Sequence, residues 1–229
     1  MATLPILTSC FGLILLPSLL LPPVVNPGAE GGRYVGAAAC KNCHNGAEKG
    51  DSYDHWLTTP HAKAYETLAT PKAKEVAAKL KIDEPQKSEK CLKCHITAFG
   101  VDAKLIKKGF KIEAGVQCES CHGAGEDHIK FRFKEAQDGT TVSPVTPKEI
   151  HSQRDITNCN KCHNEESPTY KPFCIKERME KIQHLDPRKK RSAEDLKKLA
   201  DICYPECPKC GKGKKEGAEK KEAGKEPGK

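Results

Sequence analysis

The sequence predicts a mainly α fold with extensive loop and little or no sheet, packed around something other than its own apolar side chains. Three observations predict it. Hydrophobic residues make up 37% of the 229-residue chain and aromatics 5%, too few for an ordinary core, while charged residues make up 31%. That balance alone would point to disorder. Against it stand 13 Cys and 9 His. Eight of those cysteines recur in one pattern, so the folding energy has to come from cross-links, metals or a large bound group.

The pattern is Cys-x-x-Cys-His. It occurs as Cys40-x-x-Cys43-His44, Cys91-x-x-Cys94-His95, Cys118-x-x-Cys121-His122 and Cys159-x-x-Cys162-His163. At this composition about 0.03 copies would arise by chance. In c-type haem attachment the two thiols form thioethers to the vinyl groups, and the adjacent His ligates the iron. Disulfides, or zinc held by paired C-x-x-C motifs, would explain the thiols but not a histidine after every second one. The reading is four covalent c-type haems. They supply the flat apolar surface that the side chains lack, which gives a multihaem cytochrome c fold with a haem-packed core. They also absorb the formal charge of +8. Their propionates bring about −8, so the basic balance calls for no nucleic acid.

Residues 1–29 read as a signal peptide or an N-terminal anchor. Leu4 to Val25 is uncharged and Leu-rich, and cleavage is expected near Gly28–Ala29. The first three residues lack the usual positive charge. Pro5, Pro17, Pro22 and Pro23 argue against a regular spanning helix, which favours the signal. Membrane contact is expected only through this segment if it stays uncleaved. Leu7-Thr8-Ser9-Cys10 looks like a lipoprotein box, but here the apolar run follows it. Thioether attachment takes place outside the cytoplasm, so a periplasmic or extracellular location is expected.

Residues 30–186 form the tetrahaem domain, with all four motifs and all the histidines. The motifs are unevenly spaced, so there is no regular repeat. Thr59-Pro60 predicts a capped helix carrying His61, Tyr65 and Leu68 on one face. Thr70-Pro71 predicts a second, striped by Ala73, Val76, Ala77 and Leu80. Residues 187–210 hold a basic cluster, Arg188 to Arg191, and a short helix from Ser192 to Cys203. They end in a cysteine cluster. Cys203, Cys207 and Cys210 resemble a zinc-ribbon knuckle, with Cys174 as candidate fourth thiolate. Disulfides are the alternative, favoured by an oxidising compartment. Residues 211–229 contain seven Lys, four Glu and no large apolar side chain, the composition of a disordered tail.

Outside the motifs five histidines remain: His55, His61, His128, His151 and His184. A second axial His suits electron transfer, and an open iron suits ligand binding or catalysis. His128 follows His122 too closely to reach the opposite face of the same haem, so it is expected to cross to a neighbouring one.

At this point the sequence resembles a family. Tyr34-Val35-Gly36-x3-Cys40-x-x-Cys43-His44 is similar to the opening of the tetrahaem cytochrome c-554 family. The likeness continues through Trp56-x4-His61-Ala62-Lys63-Ala64, Cys94-His95-Ile96-Thr97-Ala98-Phe99-Gly100 and Gly115-Val116-Gln117-Cys118-x-x-Cys121-His122-x2-Gly125-x2-His128. It covers about Tyr34 to Leu185. Outer-surface tetrahaem cytochromes that polymerise into nanowires share much of it. The resemblance implies axial pairs: His44 with His128, His163 with His61, and His122 with His184. It also implies a haem on His95 that lacks a protein sixth ligand or takes one from a neighbouring subunit. His55 and His151 stay unassigned. Residues Thr146 to Ile182 depart most from the family pattern.

The function expected is that of an exported tetrahaem cytochrome carrying electrons between redox partner proteins, a carrier rather than an enzyme. One alternative is a subunit of a conductive homo-oligomeric filament. The other is a small nitrogen-oxide reductase at an open iron on His95, although no cluster of acid–base residues stands out to serve it.

Overall fold

The computed structural model describes residues 32–139, 144–146, 149–150, 157–171, 175–187 and 190–194. The expected signal or anchor, His151, Arg188, Lys189, the helix beyond Glu194 and the Lys/Glu tail lie outside the described residues, as do Cys174, Cys203, Cys207 and Cys210.

The described fold is helical, with short elements and long connections. Its α-helices are α1 (Ala37–His44), α2 (Ser52–Leu57), α3 (Ala64–Thr67), α4 (Pro71–Lys79), α5 (Glu89–His95), α6 (Glu119–His122), α7 (Glu126–Asp138), α8 (Thr157–Asn160) and α9 (Ile175–Ile182). Extended pairing among the described residues is one parallel bridge, Tyr34 with Ile106. No described helix is long and apolar enough to cross a membrane.

The two Thr-Pro signals fold differently. Thr70 caps α4 as expected, its side chain accepting from Ala73 N at 3.2 Å. Thr59 does not cap. Its hydroxyl donates back to the Trp56 carbonyl at 2.7 Å, and Pro60–Lys63 is a 3₁₀ turn ahead of the single-turn α3. The expected continuous helix is broken because the His61 carbonyl accepts from Val116 N at 3.0 Å. That oxygen is drawn to another segment, and the chain tightens to i→i+3 bonding locally.

Side chains alone make little core. The buried apolar residues among those described are Val35, Ala37, Leu68, Ala77 and Ala124, mostly alanines. Leu57, Leu80, Phe99, Ile112, Phe131 and Phe133 are exposed. Buried polar groups tie the motif helices to one another instead. Glu119 accepts from Val35 N, Gly36 N and Gly125 N at 2.8–2.9 Å, and Gln117 accepts from Ala37 N at 2.8 Å. These bonds lock the start of α1 against α6. Thr97, 1% exposed, accepts from Gln117 N at 2.7 Å and meets Ser120 Oγ at 2.7 Å, joining the segment after α5 to α6. Glu119, Gln117 and Thr97 are thus satisfied largely by backbone of neighbouring segments, as low-dielectric surroundings require.

Candidate functional site

Cys-x-x-Cys-His fits one turn of helix: residues i, i+3 and i+4 share a face. In α1 and α5 the motif forms the C-terminal half of the helix, with His44 and His95 as last residues. In α6 the amide of His122 bonds the Cys118 carbonyl at 3.0 Å, and after α8 the amide of His163 bonds that of Cys159 at 2.8 Å. None of the eight motif cysteines is in a disulfide.

The motifs contact one another through their thiols. Cys40 lies close enough to Cys118 for the two thiols to interact, as does Cys94 to Cys162. Cys121 lies near enough to Cys159 for their charges to interact, which together with burial pushes the Cys121 thiol up to about 11. Burial, the larger cause, and Cys94 push Cys162 up to about 12. Asn158 Nδ2 donates to the Cys121 carbonyl at 3.3 Å, and Lys93 pairs with Glu166, fastening the fourth motif to the third and second.

The histidines outside the motifs are brought to motif histidines. His44 and His128 have ring centroids 6.0 Å apart at an interplanar angle of 24°. His61 and His163 stand at 6.1 Å and 70°, and His122 and His184 at 6.0 Å and 57°. Two imidazoles ligating one metal from opposite sides, with bonds of about 2.0–2.1 Å, have centroids about 6 Å apart. The spacing of these pairs therefore fits iron between them. The exposed apolar side chains and the paired cysteines outside any disulfide fit a large apolar group held covalently. Burial lowers the His61 pKa, and His163 lowers it further, which keeps the neutral ligand form.

His95 differs. Its Nδ1 donates to the Ala64 carbonyl at 2.7 Å, which orients the ring and leaves Nε2 as the ligating nitrogen. No second imidazole stacks on it among the described residues. His55 stands 6.1 Å from His184, and its Nε2 donates to the Lys181 carbonyl at 3.1 Å. It fastens the end of α9, from which His184 projects. A cleft of about 460 Å³, lined in part by His55, Thr58, Gln183 and His184, opens beside this pair. Among the described residues no group of three or more His, Cys, Asp or Glu stands together as a protein-only metal site. The candidate zinc thiolates lie outside them.

Sequence reasoning missed the residues behind the histidines. His128 Nδ1 lies 2.6 Å from Glu149 Oε1, and Arg132 grips the same carboxylate. Arg132 at i+4 from His128 was visible as a shared helix face. Glu149, 21 residues beyond His128, gave no signal.

Residues 39–123 match the family described as cytochrome c554 and c-prime, a span that includes the first three motifs. Cytochrome c-554 of Nitrosomonas europaea is 29% identical over 144 residues, covering 57% of this chain and 57% of that protein. This match thus spans little more than half the length of that relative. No solved structure matches the chain. The matched residues are those that build the motif helices and their connections, and over that span the chain is similar to c-type cytochromes of the cytochrome c554 kind.

Proposed function

We propose that this chain is a tetrahaem cytochrome, exported to the periplasm or the cell exterior, that carries electrons between redox partner proteins. One relationship carries the proposal: three times over, a motif histidine faces a histidine from elsewhere at 6.0–6.1 Å. Imidazoles gain nothing from that spacing unless they share a metal. Cys40 and Cys43, Cys91 and Cys94, Cys118 and Cys121, and Cys159 and Cys162 would hold the four haems. His44 with His128, His163 with His61, and His122 with His184 would be axial ligands, and His95 would ligate its haem from one side. When bound, c-type haem supplies a one-electron iron couple whose potential its ligands and surroundings set.

The chain's own part is to fix ligands and spacing. Ligation by two imidazoles disfavours displacement and rearrangement. The nearness of Cys40 to Cys118, of Cys121 to Cys159 and of Cys94 to Cys162 supports a spatial arrangement of haems that departs from chain order. Export is supported by the thioether chemistry and by the uncharged Leu4 to Val25 segment.

Intact mass of the purified protein tests the reading. The expected result is an increment of four haem groups over the mature polypeptide. Any other count overturns it. His95 supports the second reading, a haem open to small nitrogen oxides, because its described partner is the Ala64 carbonyl alone. Electron paramagnetic resonance of the oxidised protein decides this point. A high-spin component that cyanide removes supports the open iron, and four low-spin haems exclude it. Negative-stain microscopy separates a discrete particle from a filament.

A further inference from the structure

We infer that Glu149, clamped by Arg132, is a positioning residue that sets the reduction potential of the haem ligated by His44 and His128. The inference rests on the haem reading above and extends it to two residues that no motif contains.

His128 lies in the first turn of α7, and Arg132 one turn further on the same face. The Glu149 Oε1 stands 2.6 Å from His128 Nδ1 and 2.7 Å from Arg132 Nε, and its Oε2 stands 2.7 Å from Arg132 Nη2. The second side of the guanidinium donates to Glu135 Oε2 at 2.7 Å. The side chains of His128, Arg132, Glu135 and Glu149 are only 17%, 14%, 12% and 6% exposed, so water screens these charges little.

A carboxylate whose oxygens both accept from the guanidinium can only accept from the imidazole as well. Nδ1 of His128 therefore carries the proton, which leaves the lone pair on Nε2 as the one able to ligate. A hydrogen bond to an anion strengthens the imidazole as a donor more than one to a neutral carbonyl. His95 and His184 donate their Nδ1–H to the carbonyls of Ala64 and Ile182, at 2.7 and 3.1 Å. The stronger donor favours the oxidised iron and lowers the potential at His128. Arg132 opposes this: it competes for Oε1 and places a positive charge beside the anion. The pair forms a two-signed control, in which the glutamate lowers the potential and the arginine limits the lowering.

The experiment is a spectroelectrochemical titration of the full-length haem-loaded protein, wild type, Glu149→Gln and Arg132→Gln, each first checked for haem content and low-spin state. Removing the hydrogen-bond partner of a metal-bound histidine typically changes metal affinity about tenfold or more, and a similar factor between the two oxidation states is expected here. For Glu149→Gln one haem should become about tenfold easier to reduce, about 59 mV for a one-electron couple, with the low-spin signal kept. For Arg132→Gln the same haem should shift the opposite way. A merely structural role would move both variants alike or lose the low-spin signal, and either result overturns the inference. An unmoved potential in fully loaded Glu149→Gln overturns it alone. A wild-type protein without haem overturns it together with the proposed function.

Discussion

Trp56 Nε1 donates to the carbonyl of Val116 at 2.9 Å. On the other edge of the same residue, Val116 N donates to the His61 carbonyl at 3.0 Å. The segment leading into the third motif is thereby clamped between α2 and the turn that presents His61. The indole acts here as a reach of fixed length from α2 to the segment that enters the third motif.

The clamp needs Gly115. Its φ is +71°, and a Cβ there would stand 2.7 Å from the His61 carbonyl oxygen. Gly115→Ala meets both a disfavoured backbone conformation and a clash with the carbonyl of a ligand residue. The expected cost is about 1–3 kcal/mol. A lower thermal midpoint, with part of the low-spin signal lost, is the expected result. A variant that melts with wild type would show that the approach of Gly115 to His61 is not required.

His61→Ala and His128→Ala should each convert one low-spin haem to high spin, and the signals lost should differ. The imidazole planes of His61 and His163 are 70° apart, which would leave the two π orbitals of an iron held between them nearly equal in energy. Those of His44 and His128 are 24° apart, which would split the two orbitals. Electron paramagnetic resonance should therefore lose a strongly anisotropic low-spin signal in His61→Ala and an ordinary rhombic one in His128→Ala. Unchanged spectra in both variants would return the two histidines to ordinary surface roles.

The motifs and the candidate ligands were legible because covalent chemistry demands fixed residue types at fixed spacing. Cys118, Cys121 and His122 could be read without knowing any fold. The pairing could not be read from spacing. It came from the likeness to a known family, since His61 and His163 stand far apart in the chain and meet only in the fold. The two Thr-Pro signals look equivalent in sequence. Only the bond from Val116 N to His61 O tells them apart, and it links residues 55 positions apart. Glu149 was invisible for the same reason. A carboxylate becomes a histidine's partner only when a separate segment folds back over α7.

Acid should loosen the entry to α1 before it reaches the haem ligands. Glu126 accepts from Arg33 N, Nε and Nη2 at 2.7–3.1 Å and from Lys107 Nζ at 3.0 Å. The Arg33 side-chain bonds, foremost, hold its carboxyl far below the usual range. The folded pKa lies below the unfolded one. Its stabilisation is therefore complete above about pH 4.3 and is lost as pH falls through that value toward the folded pKa. Glu119 has the opposite sign: burial raises its pKa, outweighing the amides of Val35, Gly36 and Gly125, so its contribution is lost as pH rises. The expected outcome is that wild type loses thermal stability from about pH 5 to about pH 3, and Glu126→Gln loses less. Equal slopes would remove Glu126 from the acid response.

The Lys-rich tail should be dispensable for haem loading and should matter for docking. Residues 211–229 hold no apolar side chain larger than alanine except Pro227, so ordering them would cost about 1–2 kcal/mol per residue in backbone entropy with no burial to offset it. A chain ending at Gly211 should carry the same haem content as the full-length protein, and loss of haem would refute this. The tail's seven Lys against four Glu, with Arg188, Lys189, Lys190 and Arg191 ahead of it, place positive charge beyond the haem-binding residues. Because these charges lie outside the four motifs in the sequence, they are assigned to a partner. Exposed charges steer encounter rates and are screened over about 8–10 Å at moderate salt. The measurement is the rate of electron transfer with an acidic redox protein as ionic strength rises, for the full-length and shortened chains. The full-length rate should fall more steeply with salt, because it has more attraction to lose. Matching salt dependence would mean that the tail only keeps the protein in solution, and that any steering resides in the lysines around the motifs themselves.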